Sequence, residues 1–152
     1  MSFQYVLIKL ALILVVFLSQ SAMAQDGVSY KKGAYEVIYT TFNSSFISPK
    51  VAQTYGFVRG KDRALMNLAV IETLADGSMQ SVEADVQVTV SDLIYKQQLE
   101  FKRIQEQQSV YYLAPFKISN KLDVYFEVSV KPKNSQQRLQ FKFQKRLYHD
   151  GE

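Results

Sequence analysis

Apolar and polar residues alternate with a period of two in three long segments of the chain. These segments are Val82–Ser91, Leu122–Val130 and Leu139–Gln144. Successive side chains of a strand point to opposite faces of a sheet, so the pattern indicates strands with one buried and one solvated face. Burial of a single face is typical of antiparallel pairing, whereas parallel sheets bury both faces. The alternation therefore predicts an all-β, antiparallel fold.

Four further segments bring the prediction to about seven strands. They are Tyr35–Phe42, Ala64–Leu74, Leu99–Ile104 and Val110–Ile118, all rich in β-branched, aromatic or other apolar residues. Asp76-Gly77 predicts a tight hairpin turn after the second of them. Pro115 cannot donate to a ladder, so it predicts an edge, a bend or a bulge. Two sheets packed in an immunoglobulin-like sandwich are the expected architecture, with a flattened barrel as the alternative.

One short helical turn is predicted after the first of these strands. Ser48 suits the N-cap, Pro49 suits the first helical position, and Gly56 suits the left-handed residue that follows the last turn. Residues 25–34 are mostly polar and contain two glycines, so we expect a loose lead-in. A single sandwich domain is then expected over residues 35–149.

Residues 1–24 carry the parts of a cleavable signal peptide. Lys9 gives a basic start, Leu10–Leu18 is an uninterrupted apolar run, and Ala22-Met23-Ala24 is a small-residue cleavage site. This predicts export, with no membrane-spanning segment after cleavage. The chain has no cysteine, which favours the bacterial periplasm over the disulfide-rich secreted domains. Loss of Lys9 lowers the net charge of +4 by one, so nucleic-acid binding is not expected.

Two clusters of residues resemble a known family. The first is Tyr39, Phe42 to Phe46, Pro49, Val51, Ala52, Tyr55, Gly56, Arg59, Lys61, Arg63, Ala64 and Asn67. The second is Tyr111 to Ala114, Phe116, Ser119, Asn120, Val130 and Pro132. Together they are similar to the family of small exported bacterial proteins called domain of unknown function 4426. The resemblance implies a periplasmic β-sandwich from Gram-negative bacteria, and it implies no activity.

The titratable residues do not form a recognisable catalytic or metal-binding motif. Nucleophilic catalysis needs a base beside a serine, threonine or cysteine, and the one histidine, His149, lies near the chain end, where a solvated tail residue is expected. Glu83 and Asp85 share a strand face, where a solvated pair is expected. We therefore predict no catalytic residue, no metal site and no cofactor.

The connection Asn43–Arg63 is the leading candidate for a binding surface. Its candidate residues are Asn43, Ser44, Tyr55, Arg59, Lys61 and Arg63. In an extended chain the three basic residues, two positions apart, would point the same way and could bind a carboxylate or phosphate. Long loops in compact domains are often functional. The alternative is structural: a turn at Asn43 and Ser44, a core position for Tyr55 and surface ion pairs for the basic residues.

A second basic surface lies near the chain end. It comprises Lys131, Lys133, Arg138, Lys142, Lys145 and Arg146. If the last strand is an edge strand, these charges discourage sheet-to-sheet aggregation. We favour that protective role over a partner site or a membrane site.

These observations favour a non-enzymatic periplasmic interaction module. Its expected partner is another periplasmic or envelope protein, bound by the Asn43–Arg63 connection. A binder of a small ligand or lipid is the alternative, because the chain has ten Tyr and ten Phe. A hydrolase with an unorthodox site is the third hypothesis.

Overall fold

The computed structural model describes residues 28–92 and 94–151, so the predicted signal peptide lies outside the described residues. Ten strands and one α-helix are found there. The strands are β1 Val28–Lys32, β2 Tyr35–Asn43, β3 Arg63–Thr73, β4 Met79–Ser81, β5 Ala84–Ser91, β6 Lys96–Gln98, β7 Lys102–Glu106, β8 Ser109–Lys117, β9 Leu122–Pro132 and β10 Leu139–Leu147. A 3-10 turn, Ser44–Phe46, and helix α1, Pro49–Tyr55, lie between β2 and β3.

The strands form two antiparallel sheets that pack face to face. The first sheet has the order β1-β2-β3-β8-β7, with β4 paired to the far half of β3. The second has the order β10-β9-β5-β6. Every strand pair is antiparallel. The predicted all-β, sandwich-like architecture is therefore confirmed.

The core lies between the inward faces of the two sheets. The alternating residues of β5, β9 and β10 supply one side, and β2, β3 and β8 supply the other. Phe126 is fully buried, stacks on Phe143 at 4.4 Å between ring centroids, and meets Phe116 edge to face at 5.7 Å. Aromatic pairs in these geometries add to the stabilisation that comes from burial alone.

The seven predicted strands correspond to β2, β3, β5, β7, β8, β9 and β10. The prediction missed β1, β4 and β6. Residues 28–32 were expected to be part of a loose lead-in, but they pair with β2, and Tyr30 stacks on Phe141 of the opposite sheet at 4.6 Å. As a result the helical turn follows the second strand of the described chain instead of the first.

The strand predicted at Leu99–Ile104 is displaced in the structure. Pairing with β5 ends at Gln98, the chain crosses between the sheets, and β7 begins at Lys102. Leu99 is buried in the core during this crossing, and its amide donates to the Val88 carbonyl at 2.9 Å. An apolar residue that anchors a crossing therefore has the same sequence signature as a strand residue.

The predicted helix caps and the predicted proline position are confirmed. The Ser48 hydroxyl accepts a hydrogen bond from the Val51 amide at 3.2 Å, and Gly56 is left-handed with φ +66°. Pro115 lies in β8 opposite Leu65 of β3, whereas pairing of β8 with β7 stops at Leu113. Pro115 therefore occupies a stretch of β8 that has no partner on its β7 side, where a missing amide donor costs little.

Lys142, Lys145 and Arg146 of the predicted basic surface lie on an edge strand, since β10 is the last strand of the second sheet. Lys131 lies on the inner strand β9, and Lys133 and Arg138 lie in the connection between β9 and β10. Arg146 makes two hydrogen bonds with Asp123 at 2.9 Å, and Lys142 contacts Glu127 at 2.8 Å. The carboxylates of Glu83 and Asp85 pair with Arg103 and Lys133 respectively. Each of those two acids therefore has its own cation on the solvated surface.

Candidate binding surface at the loop end

Four connections meet at one end of the sandwich, which we call the loop end. They are residues 44–62, the β5–β6 turn, residues 118–121 and residues 148–151. Several hydrogen bonds join them: Ile118 N donates to Asp62 O, His149 N to Asn120 Oδ1, Asp150 N to Lys61 O, and Ser119 Oγ to Asp92 Oδ2. The connections of both sheets therefore form one continuous surface.

Asn43 fastens the C-terminal segment to the end of β2. Its Nδ2 donates to the Tyr148 carbonyl at 3.0 Å and to Asp150 Oδ1 at 2.6 Å. Hydrogen bonds from the Ser45 and Asn43 side chains, with the nearby Arg59 charge, hold the pKa of the Asp150 carboxyl below its usual range. This geometry supports a structural role for Asn43.

Ser44 joins the 3-10 turn to the irregular segment that leads from α1 to β3. It is almost fully buried, and its hydroxyl donates to the Gly60 carbonyl at 3.1 Å and accepts from the Gly60 amide at 3.0 Å. Arg59 donates from Nη2 to the Ser45 carbonyl at 3.1 Å. These bonds hold residues 44–46 beside residues 58–60.

The three basic residues Arg59, Lys61 and Arg63 do not lie in an extended segment. A turn interrupts the alternation, because the Arg63 amide donates to the Gly60 carbonyl at 3.2 Å. Lys61 is exposed within the turn, and Arg63 is half-buried at the start of β3. The single row of cations expected from the two-residue spacing is therefore not formed.

Tyr55 lies at the last position of α1, where it contributes to packing. Its ring is 6.4 Å from that of Phe57, and both belong to a small apolar cluster with Ala52 and Leu65 on the outer face of β3. The Lys102 ammonium lies 5.3 Å from the centroid of the Phe57 ring and donates to the Tyr55 carbonyl at 2.5 Å. A basic residue near a helix C-terminus stabilises the unsatisfied carbonyls there.

The loop end exposes large apolar side chains that the sequence reasoning did not select. Phe46 is 80% exposed, Tyr95 76%, Ile94 75% and Val58 62%. Phe46 and Val58 belong to the two segments that Ser44 and Arg59 hold together. The available signal was an aromatic residue, Phe46, directly after the polar run Asn43–Ser45, where no strand or helix pattern requires one.

Asp92 fixes the turn that carries Ile94 and Tyr95. Its Oδ1 accepts from the Tyr95 amide at 2.9 Å and from the Ile94 amide at 3.1 Å, and these bonds lower the pKa of the carboxyl. A hollow of about 360 Å³ lies beside this turn, between Val90 and Val124 of one sheet and the end of β8. The loop end therefore combines exposed apolar groups with a fixed backbone.

His149 is fastened to its surroundings, which corrects the expectation of a solvated tail residue. Its amide donates to Asn120 Oδ1 at 3.0 Å, and Nε2 lies 3.1 Å from the Ile118 carbonyl oxygen. Among residues 28–92 and 94–151, no group of three or more His, Cys, Asp or Glu is placed to hold a metal ion. In the same residues, no helix is long and apolar enough to cross a membrane.

These features define a small antiparallel β-sandwich whose connections form a fixed apolar surface at one end. The sequence model of the domain of unknown function 4426 matches residues 29–150. The chain belongs to this family.

A solved relative carries the same fold. The crystal structure of a family protein from Pseudomonas aeruginosa is 34% identical, with a TM-score of 0.71 over 84% of this chain and 98% of that one. A copper-bound variant of FetP from a uropathogenic Escherichia coli strain matches with 9% identity and a TM-score of 0.49, over 81% of this chain and 90% of that one. A likeness this weak carries no inference about the present chain. A search of curated proteins finds no match.

Proposed function

We propose that this protein is a non-enzymatic binding protein of the periplasm, and that its loop end captures another envelope protein. The observation that carries the proposal is the exposure of Phe46 on a backbone fixed by the Ser44–Gly60 and Arg59–Ser45 hydrogen bonds. A backbone segment held in place before binding loses little conformational entropy in a complex. Aromatic side chains are frequent energetic centres of protein interfaces. The periplasmic location follows from the predicted signal peptide.

The charges around Phe46 indicate the chemistry of the partner. Lys50, Arg59 and Lys61 are all exposed on the same connection. Arg59 lies beside the Phe46 segment, because it donates to the Ser45 carbonyl. An apolar residue with cations on its own connection complements an apolar patch that is bordered by carboxylates. The apolar contact supplies most of the affinity, whereas the rim charges mainly raise the association rate and depend on salt. We therefore expect an acidic protein partner.

The test is crosslinking in cells of the full chain with a C-terminal tag, followed by mass spectrometry. A Phe46→Ser/Val58→Ser variant removes the apolar centre, and both side chains are exposed enough for the fold to be unaffected. Met79→Ser is the matched control, because Met79 is 70% exposed near the β3–β4 turn, at the opposite end of the sandwich. We expect an acidic envelope protein that the wild type and Met79→Ser capture and that Phe46→Ser/Val58→Ser loses.

Two further variants distinguish the contribution of the cations to partner capture from that of the apolar side chains. Arg59→Glu and Lys61→Glu should weaken capture most at low salt, and less as salt screens the rim. Equal capture by the wild type and by folded, exported Phe46→Ser/Val58→Ser would show that the loop end is not the site. Failure of the wild type to capture any envelope protein would refute the proposed function itself.

A further inference from the structure

A groove follows the outer face of the first sheet, away from the loop end. Two adjoining hollows, of about 440 and 740 Å³, form it and share Ile38, Ile71, Ser81 and Ser109 as lining residues. Helix α1 covers the outer face of β3 only around Leu65. Beyond Leu65 the outward positions of β3 are half-exposed.

The groove has an apolar floor made of successive cross-strand rows. Ile38 of β2 lies opposite Ala69 of β3, and the next outward position of β3 is Ile71. Tyr111 of β8 lines one side of the groove. Met79 of β4, which is largely exposed, lines the end that is far from Asn67. A concave, mostly apolar surface with a few polar groups is the usual form of a small-molecule site.

A buried polar atom without a partner lies at the end of the groove next to α1. Asn67 occupies the row between Leu65 and Ala69, and its Oδ1 is buried without a hydrogen-bond donor. An unsatisfied buried carbonyl costs roughly 1–3 kcal/mol. Such groups are rare in folded proteins, so a donor supplied by a ligand would explain this one.

We infer that this groove binds a single-chain amphiphile whose uncharged head donates a hydrogen bond to Asn67 Oδ1, once a rotation of the Asn67 side chain brings this oxygen into the groove that the residue lines. Its apolar chain lies along Ile38, Ala69 and Ile71. At about 3.3 Å per residue, the distance from Asn67 to Ile71 is roughly 13 Å, which suits a chain of about ten carbons. Glu36 is the one charged residue along the described lining, and it disfavours an anionic ligand. A primary amide supplies the required donor and carries no charge.

Three ligands of equal chain length and two variants provide the test. Decanamide has an N–H donor, methyl decanoate has acceptors only, and decanoate is anionic. We expect calorimetry to show decanamide binding to the full chain about tenfold more tightly than methyl decanoate, which is the value of one hydrogen bond, and decanoate binding most weakly. Asn67→Leu should bind decanamide and methyl decanoate equally, and should unfold no more readily than the wild type because the unpaired carbonyl is gone.

The floor of the groove is tested separately. Ala69→Phe fills the groove and should abolish binding of all three ligands, whereas Thr89→Phe, on the outer face of the second sheet, should bind like the wild type. No binding of decanamide by the folded wild type would overturn the inference. So would an unchanged preference in Asn67→Leu, or full binding by Ala69→Phe. None of these results depends on the protein partner proposed for the loop end.

Discussion

Two buried hydroxyl groups, three positions apart in the chain, differ in their hydrogen bonding. The Ser44 hydroxyl both donates to and accepts from the Gly60 backbone. The Thr41 hydroxyl is also buried, but its oxygen has no partner. Because an unpaired buried polar group is costly and a paired one is not, removal of these two groups should change stability in opposite directions.

Replacement of Ser44 by alanine should lower the free energy of unfolding by about 2 kcal/mol. The substitution leaves the Gly60 amide without a partner, and the Gly60 carbonyl with only the Arg63 amide, next to the segment that presents Phe46. Urea unfolding measures the loss, and hydrogen exchange should show faster opening at the Gly60 amide. Thr41→Val keeps the shape of the side chain and should be neutral or stabilising. If both variants lost equal stability, hydrogen bonding would not be the cause.

At the scale of elements, the long strands were predictable because the alternation of apolar and polar residues in their sequence shows which positions are buried. In β5, β9 and β10 every second residue is buried or half-buried, and α1 has its start and stop signals in Ser48, Pro49 and Gly56. The shorter elements β1, β4 and β6 expose most of their residues. Their conformation depends on the neighbouring strand, so their own residues carry no pattern to detect.

In the candidate site, too, some features were predictable from the sequence and others were not. The sequence identified the connection 43–63 through its length and irregularity, which are local properties. A turn at Asn43 and Ser44 was the structural alternative, but the sequence did not identify their partners, because Asp150 and Gly60 reach them only in the folded chain. The exposure of Phe46 was also hidden, since composition does not show which aromatic residues remain outside the core. Local signals therefore located the segment, and long-range contacts determined its surface.

Strand β1 offers a test of an element that the sequence did not predict. Tyr30 is the one residue of β1 that is half-buried, and it stacks on Phe141 across the sandwich. Tyr30→Ala should lower the free energy of unfolding by about 1–2 kcal/mol, from lost apolar burial and the lost aromatic contact. Lys31→Ala, on the exposed face of the same strand, should stay within about 0.5 kcal/mol of wild type. Equal effects in chemical unfolding would show that β1 does not pack on the second sheet.

For the whole molecule, carboxylates act as links between distant elements. Asp85 pairs with Lys133, and Glu127 lies between Lys142 and Lys96 on the solvated face of the second sheet. At the loop end, Asp92 fixes a turn and Asp150 joins the chain end to β2. Hydrogen bonds are the largest cause of the lowered pKa in all four, with help from nearby cations at Asp85, Glu127 and Asp150. The same contacts that connect the elements therefore make stability depend on pH.

Acid should destabilise the protein through these four carboxyl groups. Their pKa values are lower in the folded state than the unfolded values of about 4, so the unfolded state binds protons first as the pH falls. The stabilisation that these four groups provide is therefore complete above a pH of about 5, and it is lost as the pH falls through their pKa values in the folded state. The urea concentration at the midpoint of unfolding, measured from neutral pH to about pH 2.5, should be constant at first and should then decrease. The urea midpoint of the double variant Asp92→Asn/Asp150→Asn should decline less steeply, because two of these four carboxyl groups have been removed. A midpoint that does not change down to the lowest pH would show that these contacts do not stabilise the fold.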